Sequence, residues 1–371
     1  MTAQIQASNE TCTWTTPKVA VITGVTGQTG SYMAEFLLKR GLKVIGATRR
    51  TSQLIDSNLE DIKDHPNFEL KHFDLTDAHS INNLVKETSP DYIINFGAQT
   101  FVADSWNNPY EHFETNAGGV LHFLEAVKNH APNCRFYSSG TSEQYGDVQY
   151  SPQDINHPFS PRSPYGVAKC AANHFVKVYR ESYGLYAVHG VCFNHESPRR
   201  QDYFVTRKVT RAACEIKQAI LRHDPDSNTK FPVLRLGNLD AKRDWSHALD
   251  FVEGIWLMLN QEKPKDYVLS SGETCTIRDF VTRAFNTLAI GGYWSGGGEK
   301  EVFVSSENPF PTRSPLHLVK VDPKFYRPAE VELLQGDSSP IRTELGWEPK
   351  YDLDKLVGEM VSQDWIDLRG L

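Results

Sequence analysis

The sequence predicts an α/β protein with a doubly wound parallel sheet and a smaller, mixed α/β region in its C-terminal part. Short apolar, β-branched segments alternate with helical patterns over the first half of the chain, as in a parallel sheet with helices on both faces. A glycine-rich turn, GVTGQTG, separates the first of these strands from the first helix. The 371 residues suffice for two or three domains of about 150 residues each.

The first part of the chain contains the regular alternation. The predicted strands are Lys18–Thr23, Leu42–Thr48, Phe68–His72, Tyr92–Phe96, Arg135–Ser139 and Ala187–Val191. The predicted helices are SYMAEFLLKR, which Gly41 ends, and the segments around His79–Thr88, Asn116–His130 and Tyr165–Tyr183. We therefore expect residues 17–195 to form the sheet domain.

The alternation changes after about residue 195. The patterns predict a helix over Arg207–Arg222, a strand over Val233–Leu236 and a helix over His247–Leu259. Glycine, serine and proline dominate Gly291–Pro315, which predicts a surface loop. Residues 196–371 are expected to form mainly the smaller region, with some segments returning to the sheet. The polar residues 1–16 do not resemble a signal peptide, and a flexible arm is expected there.

Composition excludes several classes of protein. An apolar share of 39%, before glycine is added, and a charged share of 23% are those of a folded globular chain. The net charge of −7 argues against a dedicated nucleic-acid or anionic-membrane surface. No segment is long and apolar enough to span a bilayer, and the 13 histidines and 6 cysteines show no metal-binding spacing. Reduced thiols and a cytoplasmic location are expected.

The glycine-rich turn predicts a dinucleotide site. Between a strand and a helix the chain must turn tightly and approach a pyrophosphate, and each requirement removes a side chain. The helix N-terminus then presents free N–H groups to the phosphates. A glycine cluster can also be a purely structural turn. The turn residues expected to bind the cofactor are Gly24, Thr26, Gly27, Gln28, Thr29 and Gly30.

The end of the second predicted strand bears on the choice of cofactor. NAD sites usually have an acidic residue there, which binds the ribose hydroxyls. Here Arg49 and Arg50 are followed by Thr51 and Ser52. Two guanidinium groups and two hydroxyls suit a 2′-phosphate, so the sequence favours NADP over NAD. The alternative is a solvated basic loop.

The candidate catalytic residues lie further along the chain. Tyr165 and Lys169 form Tyr-x-x-x-Lys in a predicted helix, which places both side chains on one face. A neighbouring ammonium and the nicotinamide charge would favour the phenolate and make Tyr165 a base near neutral pH. Thr141, Ser142 and Glu143 follow the fifth predicted strand and supply a further hydroxyl and a carboxylate.

These residues resemble the short-chain dehydrogenase/reductase superfamily, in its extended branch of nucleotide-sugar enzymes. Longer segments are similar to the GDP-mannose 4,6-dehydratase family, namely ITGVTGQTGSYMAEFLL, TSEQYG, PFSPRSPYGVAK, FNHESPRR, FVTRKVTRA, LGNLDAKRDW and YRPAEVELLQGD. The resemblance covers roughly residues 18–362. It implies a Rossmann-type fold, NADP as cofactor, GDP-mannose or a related GDP-sugar as substrate, and a homodimer or homotetramer.

The resemblance also implies a mechanism. Tyr165 takes the O4 proton of the hexose while the C4 hydride passes to NADP⁺. Glu143 then removes the C5 proton, which the new ketone has made acidic, and helps the C6 hydroxyl leave as water. Return of the hydride to C6 gives a 4-keto-6-deoxy sugar. Thr141 would orient O4, and Lys169 would support Tyr165 and the nicotinamide ribose.

Further site residues are implied by the matching segments. On the cofactor side these are Asp74, Leu75, Gly97, Ala98, Gln99, His195 and Arg200, with Tyr165 and Lys169. On the GDP-sugar side they are Thr141, Asn194, Lys208, Arg243, Arg327 and Glu330. Each basic residue could instead be solvated or ion-paired, and Asp240, Lys242, Arg243 and Asp244 could form an internal ion-pair network.

The chain departs from the family on the cofactor and sugar side. The usual Gln-Asp of the turn is Gln28-Thr29, Phe101 replaces a histidine, and Ser139-Gly140 stand where Ala-Ser is common. The sugar therefore stays open between mannose and a related GDP-sugar such as a heptose. The alternative functions are a nucleotide-sugar epimerase or reductase of the same fold and a catalytically silent, cofactor-binding regulator.

Overall fold

The structure is a computed structural model that describes residues 18–49, 57–222, 231–306, 315–326 and 331–370. Four sequence predictions lie outside these ranges: the N-terminal arm of residues 1–16 and the binding residues Arg50, Arg327 and Glu330. Cys12 also lies outside, and the five cysteines within the described ranges are free thiols.

The strands fall into one large sheet and three smaller ones. In chain order they are β1 (Val19–Thr23), β2 (Lys43–Thr48), β3 (Phe68–His72), β4 (Tyr92–Asn95), β5 (Arg135–Ser139), β6 (Ala187–Cys192), β7 (Asn194–Glu196), β8 (Leu234–Leu236), β9 (Lys242–Arg243), β10 (Trp245–His247), β11 (Tyr267–Leu269), β12 (Cys275–Thr276), β13 (Gly292–Ser295), β14 (Val302–Ser305) and β15 (His317–Val321).

The helices connect and cover these sheets. They are α1 (Gln28–Leu38), α2 (Ala78–Thr88), α3 (Pro109–Phe113), α4 (Gly119–His130), α5 (Pro164–Tyr183), α6 (Val205–Leu221), α7 (Ala248–Leu259), α8 (Ile277–Thr287), α9 (Ser339–Leu345) and α10 (Leu353–Arg369). Within the described ranges, none of the helices has the length and apolarity needed to cross a membrane.

The large sheet confirms the predicted fold class. Its seven strands are parallel, in the order β11-β6-β5-β4-β1-β2-β3. Residues of β1 alternate between two apolar layers: Ala20 and Ile22 pack with α1 and α7, whereas Val21 packs with α2, α4 and α5. Both faces are therefore buried, as the continuous apolar strands predict. The strand order reverses between β1 and β4, where doubly wound sheets bind their ligands.

A strand and a helix that follow residue 195 return to the large sheet. β11 pairs with β6, and α7 packs against α1 with Phe251, Ile255 and Met258 in the same apolar cluster. Most residues of α7 are apolar because two of its faces are covered, one by the sheet and the other by Trp347. The chain thus leaves the sheet domain after β6 and comes back to complete its edge.

The smaller region surrounds a second apolar core. A four-stranded sheet in the order β13-β14-β15-β8 packs with α6, α8 and α10, whose apolar stripes meet around Phe280, Phe285 and Met360. Two short ladders, β7–β10 and β9–β12, lie between this core and the large sheet. They hold the segments that carry Asn194, His195 and Arg243.

The prediction of a surface loop over Gly291–Pro315 is wrong for its described part. Residues 292–305 form the antiparallel hairpin β13–β14, in which Trp294 opposes Phe303. Gly296 and Gly298, with φ of 84° and 57°, make the turn that glycine permits. The short β-branched and aromatic run VFVS is the strand signal that the preceding glycines obscured.

The helix predicted over Asn116–His130 begins differently in the structure. α3 and α4 are joined by a π-helical turn, Glu114–Gly118, so that one irregular helix runs from Pro109 to His130. A π turn rotates the residues within it relative to the regular helix, and such turns often occur at functional sites. Here it directs Asn116 toward the loop after β4.

Candidate active site

The glycine-rich turn lies at the point where the strand order reverses. Gly24 has φ of 63°, and a Cβ there would lie 3.0 Å from the backbone nitrogen of Gly97. A Cβ on Gly30 would lie 2.3 Å from the carbonyl oxygen of Gly24, so helix and turn can approach only without a side chain. Gly27 is the N-cap of α1. The first-turn N–H groups of α1 therefore face the cleft edge with no intrahelical acceptor, which suits a pyrophosphate.

The turn is hydrogen-bonded to the segment that follows β6. Gln28 Nε2 donates to the His195 carbonyl over 2.9 Å, and Ser197 Oγ donates to Gln28 Oε1 over 2.7 Å. His195 Nε2 lies 3.0 Å from Thr29 Oγ1. The predicted cofactor residues Gln28, Thr29 and His195 thus lie together, but their side chains contact one another and fix the two segments.

The loop after β4 is held by polar side chains that the sequence analysis missed. Thr23 Oγ1 donates to Asn95 Oδ1 over 2.6 Å and accepts from the Gly97 N–H over 2.9 Å. Asn116, from the π-helical turn, accepts from the Gln99 N–H and donates to the Gln99 carbonyl, each over 2.9 Å. Asn95 and Asn116 are buried amides among apolar residues, which was the available signal.

The residues predicted on the adenine side lie at the carboxyl ends of β2 and β3. Arg49 is exposed directly after β2. Asp74 Oδ1 accepts from the N–H and the hydroxyl of Thr76, which closes a tight turn. Leu75 is buried against Gly97 and Gly119, where added Cβ atoms would lie 2.9 and 3.0 Å from its methyl carbons. Leu75 thus shapes this edge of the cleft.

Tyr165 is buried at the start of α5, next to the end of β5. Burial raises the pKa of its phenol well above the ordinary value. The Thr141 hydroxyl hydrogen-bonds the phenol oxygen and lowers this pKa, as does the Arg200 guanidinium, whereas the Glu143 carboxylate raises it. The structure therefore brings Thr141, Glu143 and Tyr165 together, with Arg200 as the nearby cation.

Lys169 lies one turn after Tyr165 on α5 and is buried. Its Nζ donates to the Ser139 carbonyl over 2.7 Å and lies 5.9 Å from the centre of the Tyr165 ring. Burial lowers the pKa of Lys169 to about 8. The ammonium therefore has a backbone carbonyl as its hydrogen-bond partner, and the expectation that it lowers the Tyr165 pKa stays a prediction.

Thr141 and Glu143 are held in a short 3₁₀ turn, Ser142–Gln144, at the end of β5. Thr141 Oγ1 accepts from the Glu143 N–H over 3.3 Å, and the Thr141 N–H donates to Gln144 Oε1 over 2.8 Å. A Cβ on Gly166, the residue after Tyr165, would lie 2.8 Å from the Glu143 carbonyl oxygen. The turn and the first turn of α5 are therefore in direct contact.

The segment between β7 and α6 forms the opposite wall of the site. Arg200 Nε lies 3.0 Å from Glu196 Oε2, and its guanidinium lies 3.4 Å from the centre of the Phe204 ring. Phe101, from the loop after β4, meets the edges of Tyr203 and Phe204 at ring-centre distances of 5.2 and 6.3 Å. Phe101 and Tyr203 are nevertheless 42% and 52% exposed, so this aromatic group faces the open cleft.

A cleft of about 400 Å³ opens beside α6 in the smaller region. Its lining residues are Asp202, Lys208, Arg211, Ala212, Glu215, Val233, Leu234, Arg235 and Phe325. Lys208 Nζ donates to the Arg235 carbonyl over 2.6 Å and lies 3.8 Å from the centre of the Phe325 ring. Burial and the charge of Lys324 lower the Lys208 pKa. The cleft offers a cation and an aromatic face to an anionic ligand.

The remaining predicted sugar-side residues lie on the ladders between the two cores. Asn194 Oδ1 is buried and has no hydrogen-bond partner in the described part of the chain. Arg243 is buried, and its Nη1 donates to the Lys242 carbonyl over 2.9 Å. Asp244 accepts from the N–H groups of Ser271, Gly272 and Gly336, and Asp240 pairs with Arg278. The acidic members of the suggested ion-pair network are thus bound elsewhere.

Comparison with known proteins finds one family over almost the whole chain. A model of the family described as GDP-mannose 4,6 dehydratase matches residues 21–360. A GDP-mannose 4,6-dehydratase of Yersinia enterocolitica is 44% identical over 358 residues, which is 94% of each chain. A human GDP-mannose 4,6 dehydratase is 42% identical over 354 residues, with 93% of this chain and 91% of that protein covered.

Solved structures resemble the fold at lower identity. A dTDP-glucose 4,6-dehydratase of Streptomyces venezuelae, with NAD and TYD bound, has a TM-score of 0.75 and 21% identity and covers 95% of this chain and 98% of its own. RMD of Pseudomonas aeruginosa, complexed with NADPH, has a TM-score of 0.70 and 20% identity, with 94% and 99% covered. At these identities the likeness shows the fold.

Proposed function

Because the chain belongs to the GDP-mannose 4,6-dehydratase family, we propose that it converts GDP-mannose to GDP-4-keto-6-deoxymannose and water, as a carbon–oxygen lyase. The observation that carries the proposal is that Thr141 and Glu143 lie beside the buried Tyr165 phenol. Oxidation at C4 needs a base for the O4 proton, and elimination needs a second base for the C5 proton. A phenol and a carboxylate within electrostatic reach of each other meet both needs.

The residues of the glycine-rich turn fit a nicotinamide coenzyme. The turn leaves no space for a Cβ at Gly24 or Gly30, and the first turn of α1 presents N–H donors at the cleft edge. When bound, such a coenzyme supplies a hydride acceptor for C4 and a hydride donor for C6. NADP is the proposed form, since Arg49 and Arg50 stand where a ribose-binding carboxylate would select NAD.

Tyr165 is the proposed acceptor of the O4 proton. Burial alone holds its proton too tightly for a base near neutral pH, so its pKa must be lowered in the active complex. Two groups of the chain act in that direction, the Thr141 hydroxyl and the Arg200 guanidinium. Thr141 can also donate to O4 once a sugar displaces part of this contact, which would align O4 with the phenol.

Glu143 is the proposed base for the C5 proton. A proton α to the C4 ketone is acidic, and an ionised carboxylate next to C5 can accept it. The same carboxyl group can then pass the proton to the departing C6 hydroxyl, which leaves as water. The hydrogen bond from the Glu143 N–H to Thr141 Oγ1 fixes the backbone from which the carboxylate reaches the sugar.

The nucleotide end of the substrate is assigned to the smaller region. The cleft beside α6 offers Lys208 and the face of Phe325, which suit a phosphate and a flat base respectively. Asn194, whose buried Oδ1 lacks a partner among the described residues, and Arg243 lie on the short ladders β7–β10 and β9–β12. Arg327 and Glu330 complete the predicted set. Residues 17–195 are thus assigned mainly to the coenzyme and residues 196–371 mainly to the GDP-sugar.

Mass spectrometry of products from a panel of GDP-, UDP- and dTDP-sugars, with catalytic NADP⁺ or NAD⁺, tests the function. Loss of one water from GDP-mannose, with deuterium from C4 recovered at C6, is the expected result. An isomer or a reduced sugar would instead indicate an epimerase or a reductase, and preference for another GDP-sugar would change the substrate. The cytoplasmic location and the homodimer or homotetramer stay predictions.

A further inference from the structure

Gly140, the residue before Thr141, has no space for a side chain. A Cβ at this position would lie 2.3 Å from His189 Nε2, 2.7 Å from His189 Cδ2 and 2.8 Å from Gln144 Oε1. The φ of Gly140 is not in the left-handed region, so backbone conformation does not demand glycine there. The imidazole of His189 occupies the volume that any other residue at position 140 would need.

His189 and Gln144 are joined to Thr141 by hydrogen bonds. Gln144 Oε1 lies 2.8 Å from the Thr141 nitrogen and 3.1 Å from His189 Nε2. The Thr141 backbone can only donate, so this oxygen is an acceptor and His189 Nε2 must carry the proton. His189 Nδ1 is then an acceptor for the Ser138 hydroxyl, 3.2 Å away. One oxygen of Gln144 thus binds both the catalytic turn and the imidazole.

The backbone of His189 is anchored at the edge of the sheet through Asp266. The His189 N–H donates to Asp266 Oδ1 over 2.7 Å, and Arg180 binds Asp266 through two hydrogen bonds of 2.7 and 2.8 Å. His189 and Gln144 are both fully buried. Burial also lowers the pKa of His189 to about 3, so its neutral hydrogen-bonding pattern is constant at any pH near neutrality. The imidazole is therefore a fixed part of the sheet.

We infer that His189 and Gln144 are positioning residues, which set the distance between the Tyr165 phenol and the Glu143 carboxylate by fixing Thr141 between them. The inference rests on the proposed function, in which Tyr165 and Glu143 act on adjacent carbons of one sugar. Thr141 Oγ1 accepts from the Glu143 N–H over 3.3 Å and, as a hydrogen-bond partner of the Tyr165 phenol, lowers the pKa of that phenol, so a shift of the Thr141 backbone moves one base relative to the other. Gly140 is required because His189 fills its side-chain position.

Gln144→Met tests the role of the shared oxygen. Methionine has a similar length and volume but cannot accept a hydrogen bond from the Thr141 N–H or from His189. We expect kcat to fall by about tenfold to a hundredfold, KM for the sugar nucleotide to change little, and reduced coenzyme to accumulate during turnover. Accumulation is expected because oxidation at C4 then outpaces removal of the C5 proton. A purely structural role would lower the yield of folded enzyme without separating these two steps.

Gln153→Met is the matched control. Gln153 is also fully buried, and its Oε1 accepts from the backbone N–H of Gln335 over 2.9 Å. Gln153→Met therefore removes an equivalent hydrogen bond in a part of the chain that does not contact Thr141. We expect a comparable loss of thermal stability with kcat retained. If both variants lose kcat in parallel with stability, or if Gln144→Met retains full kcat, the inference is overturned.

A double-mutant cycle between Gly140 and His189 tests their pairing. Gly140→Ala should lower kcat strongly, because its methyl group displaces His189 and Gln144. His189→Ala removes the obstacle, so the double variant Gly140→Ala/His189→Ala should be at least about tenfold more active than Gly140→Ala alone. Additive losses in the two single variants would contradict the pairing.

Failure of the proposed function can be distinguished from failure of this inference. If the wild-type protein converts no nucleotide sugar, the proposed function fails, and a crystal structure of Gln144→Met then decides the inference. Thr141 displaced from Glu143 or Tyr165 supports it. Thr141 Oγ1 retained within hydrogen-bond distance of both residues overturns it.

Discussion

His195 Nε2 lies 3.0 Å from Thr29 Oγ1, across the junction between the glycine-rich turn and the segment after β6. The other ring nitrogen, Nδ1, lies 3.0 Å from the Phe193 carbonyl oxygen, which can only accept. Nδ1 must therefore carry the proton, and Nε2 accepts from the Thr29 hydroxyl. Burial lowers the His195 pKa to about 4, which keeps this neutral form. The Thr29 hydroxyl thus completes the hydrogen bonding of a partly buried imidazole.

Thr29→Val should weaken this junction. The valine has the shape of threonine but leaves His195 Nε2 without a donor, which we expect to lower the free energy of unfolding by about 1–3 kcal/mol. Coenzyme affinity should fall as well, because the same turn is proposed to bind the pyrophosphate. Urea unfolding and titration calorimetry with NADP⁺ measure the two effects. Thr29→Ser should retain both properties. Unchanged stability in Thr29→Val would show that the 3.0 Å contact contributes nothing.

The protein should lose stability in mild acid. Burial lowers the pKa of His189 to about 3 and those of His195 and His247 to about 4, whereas an unfolded histidine titrates near 6.5. Between these values the unfolded chain binds more protons, so the free energy of unfolding is highest above about pH 6.5 and falls as the pH decreases toward about 4. A shift of this size corresponds to roughly 3 kcal/mol for His195 alone. Asp244, whose pKa burial raises to about 6, opposes the trend in part.

Chemical denaturation at a series of pH values measures this loss. His247→Asn is an informative variant, since His247 caps α7 by accepting the Leu249 N–H and asparagine can accept the same bond without titrating. Its stability should depend less steeply on pH than that of the wild type. A free energy of unfolding that stays constant over this range would contradict the assignment of neutral buried histidines.

Two glycine-to-alanine substitutions should have opposite effects. A Cβ on Gly30 would lie 2.3 Å from the Gly24 carbonyl oxygen, a backbone atom that cannot move without opening the turn. Gly30→Ala should therefore lower stability by about 1–3 kcal/mol and reduce coenzyme binding. Gly358 lies within α10, where a Cβ meets nothing within 4 Å. Gly358→Ala should raise stability by about 0.5–1 kcal/mol, since alanine favours the helix. Thermal unfolding of both variants tests this contrast. Equal shifts of the melting temperature in the two variants would contradict it.

Most strands of the large sheet could be predicted from the sequence, because the signal for each strand lies within its own short segment. The bounds of β3 and β5 agree with the predicted segments. The bounds of β1 and β4 agree to within one residue, because a short buried strand of a parallel sheet is apolar along most of its length. The hairpin β13–β14 was missed because Gly296, Gly297 and Gly298, which make its turn, suggested a loop.

The candidate site could be predicted only in part. Spacing on a helix places Tyr165 and Lys169 on one face, but it does not decide that the ammonium binds the Ser139 carbonyl. That choice depends on β5, a distant segment of the chain. Likewise, His189 looks like any residue of a buried strand until the fold places it against Gly140.

Arg200→Met should shift the pH dependence of the reaction. The Arg200 guanidinium lowers the pKa of Tyr165, so its removal should raise that pKa and move the acidic limb of the kcat/KM profile to higher pH. Arg200→Lys should move it less, because the charge is retained. Arg283→Met is a control, since Arg283 lies on α8 and pairs with Asp354 at the surface. A profile that keeps its acidic limb in Arg200→Met would mean that Arg200 does not act on the phenol.

Glu143→Gln should separate oxidation of the sugar from loss of water. The amide keeps the size of the side chain and the Glu143 N–H bond to Thr141, but it cannot accept the C5 proton. We expect kcat for the 6-deoxy product to fall by about 10²–10⁴-fold, the range for loss of a general base, while the coenzyme is still reduced by GDP-mannose. Tyr165→Phe should abolish both steps, because no group then takes the O4 proton.

Glu181→Gln provides the matched control for this variant. It makes the same substitution at an exposed position of α5, the helix that begins with Tyr165 and continues to Tyr183. Full activity is expected, since its carboxylate faces solvent. Product formation at the wild-type rate in Glu143→Gln would remove Glu143 from the reaction, and the base for C5 would then have to be sought among other residues of the cleft. Exchange of the C5 proton with solvent deuterium, followed by NMR, distinguishes these cases because only a base beside C5 can catalyse it.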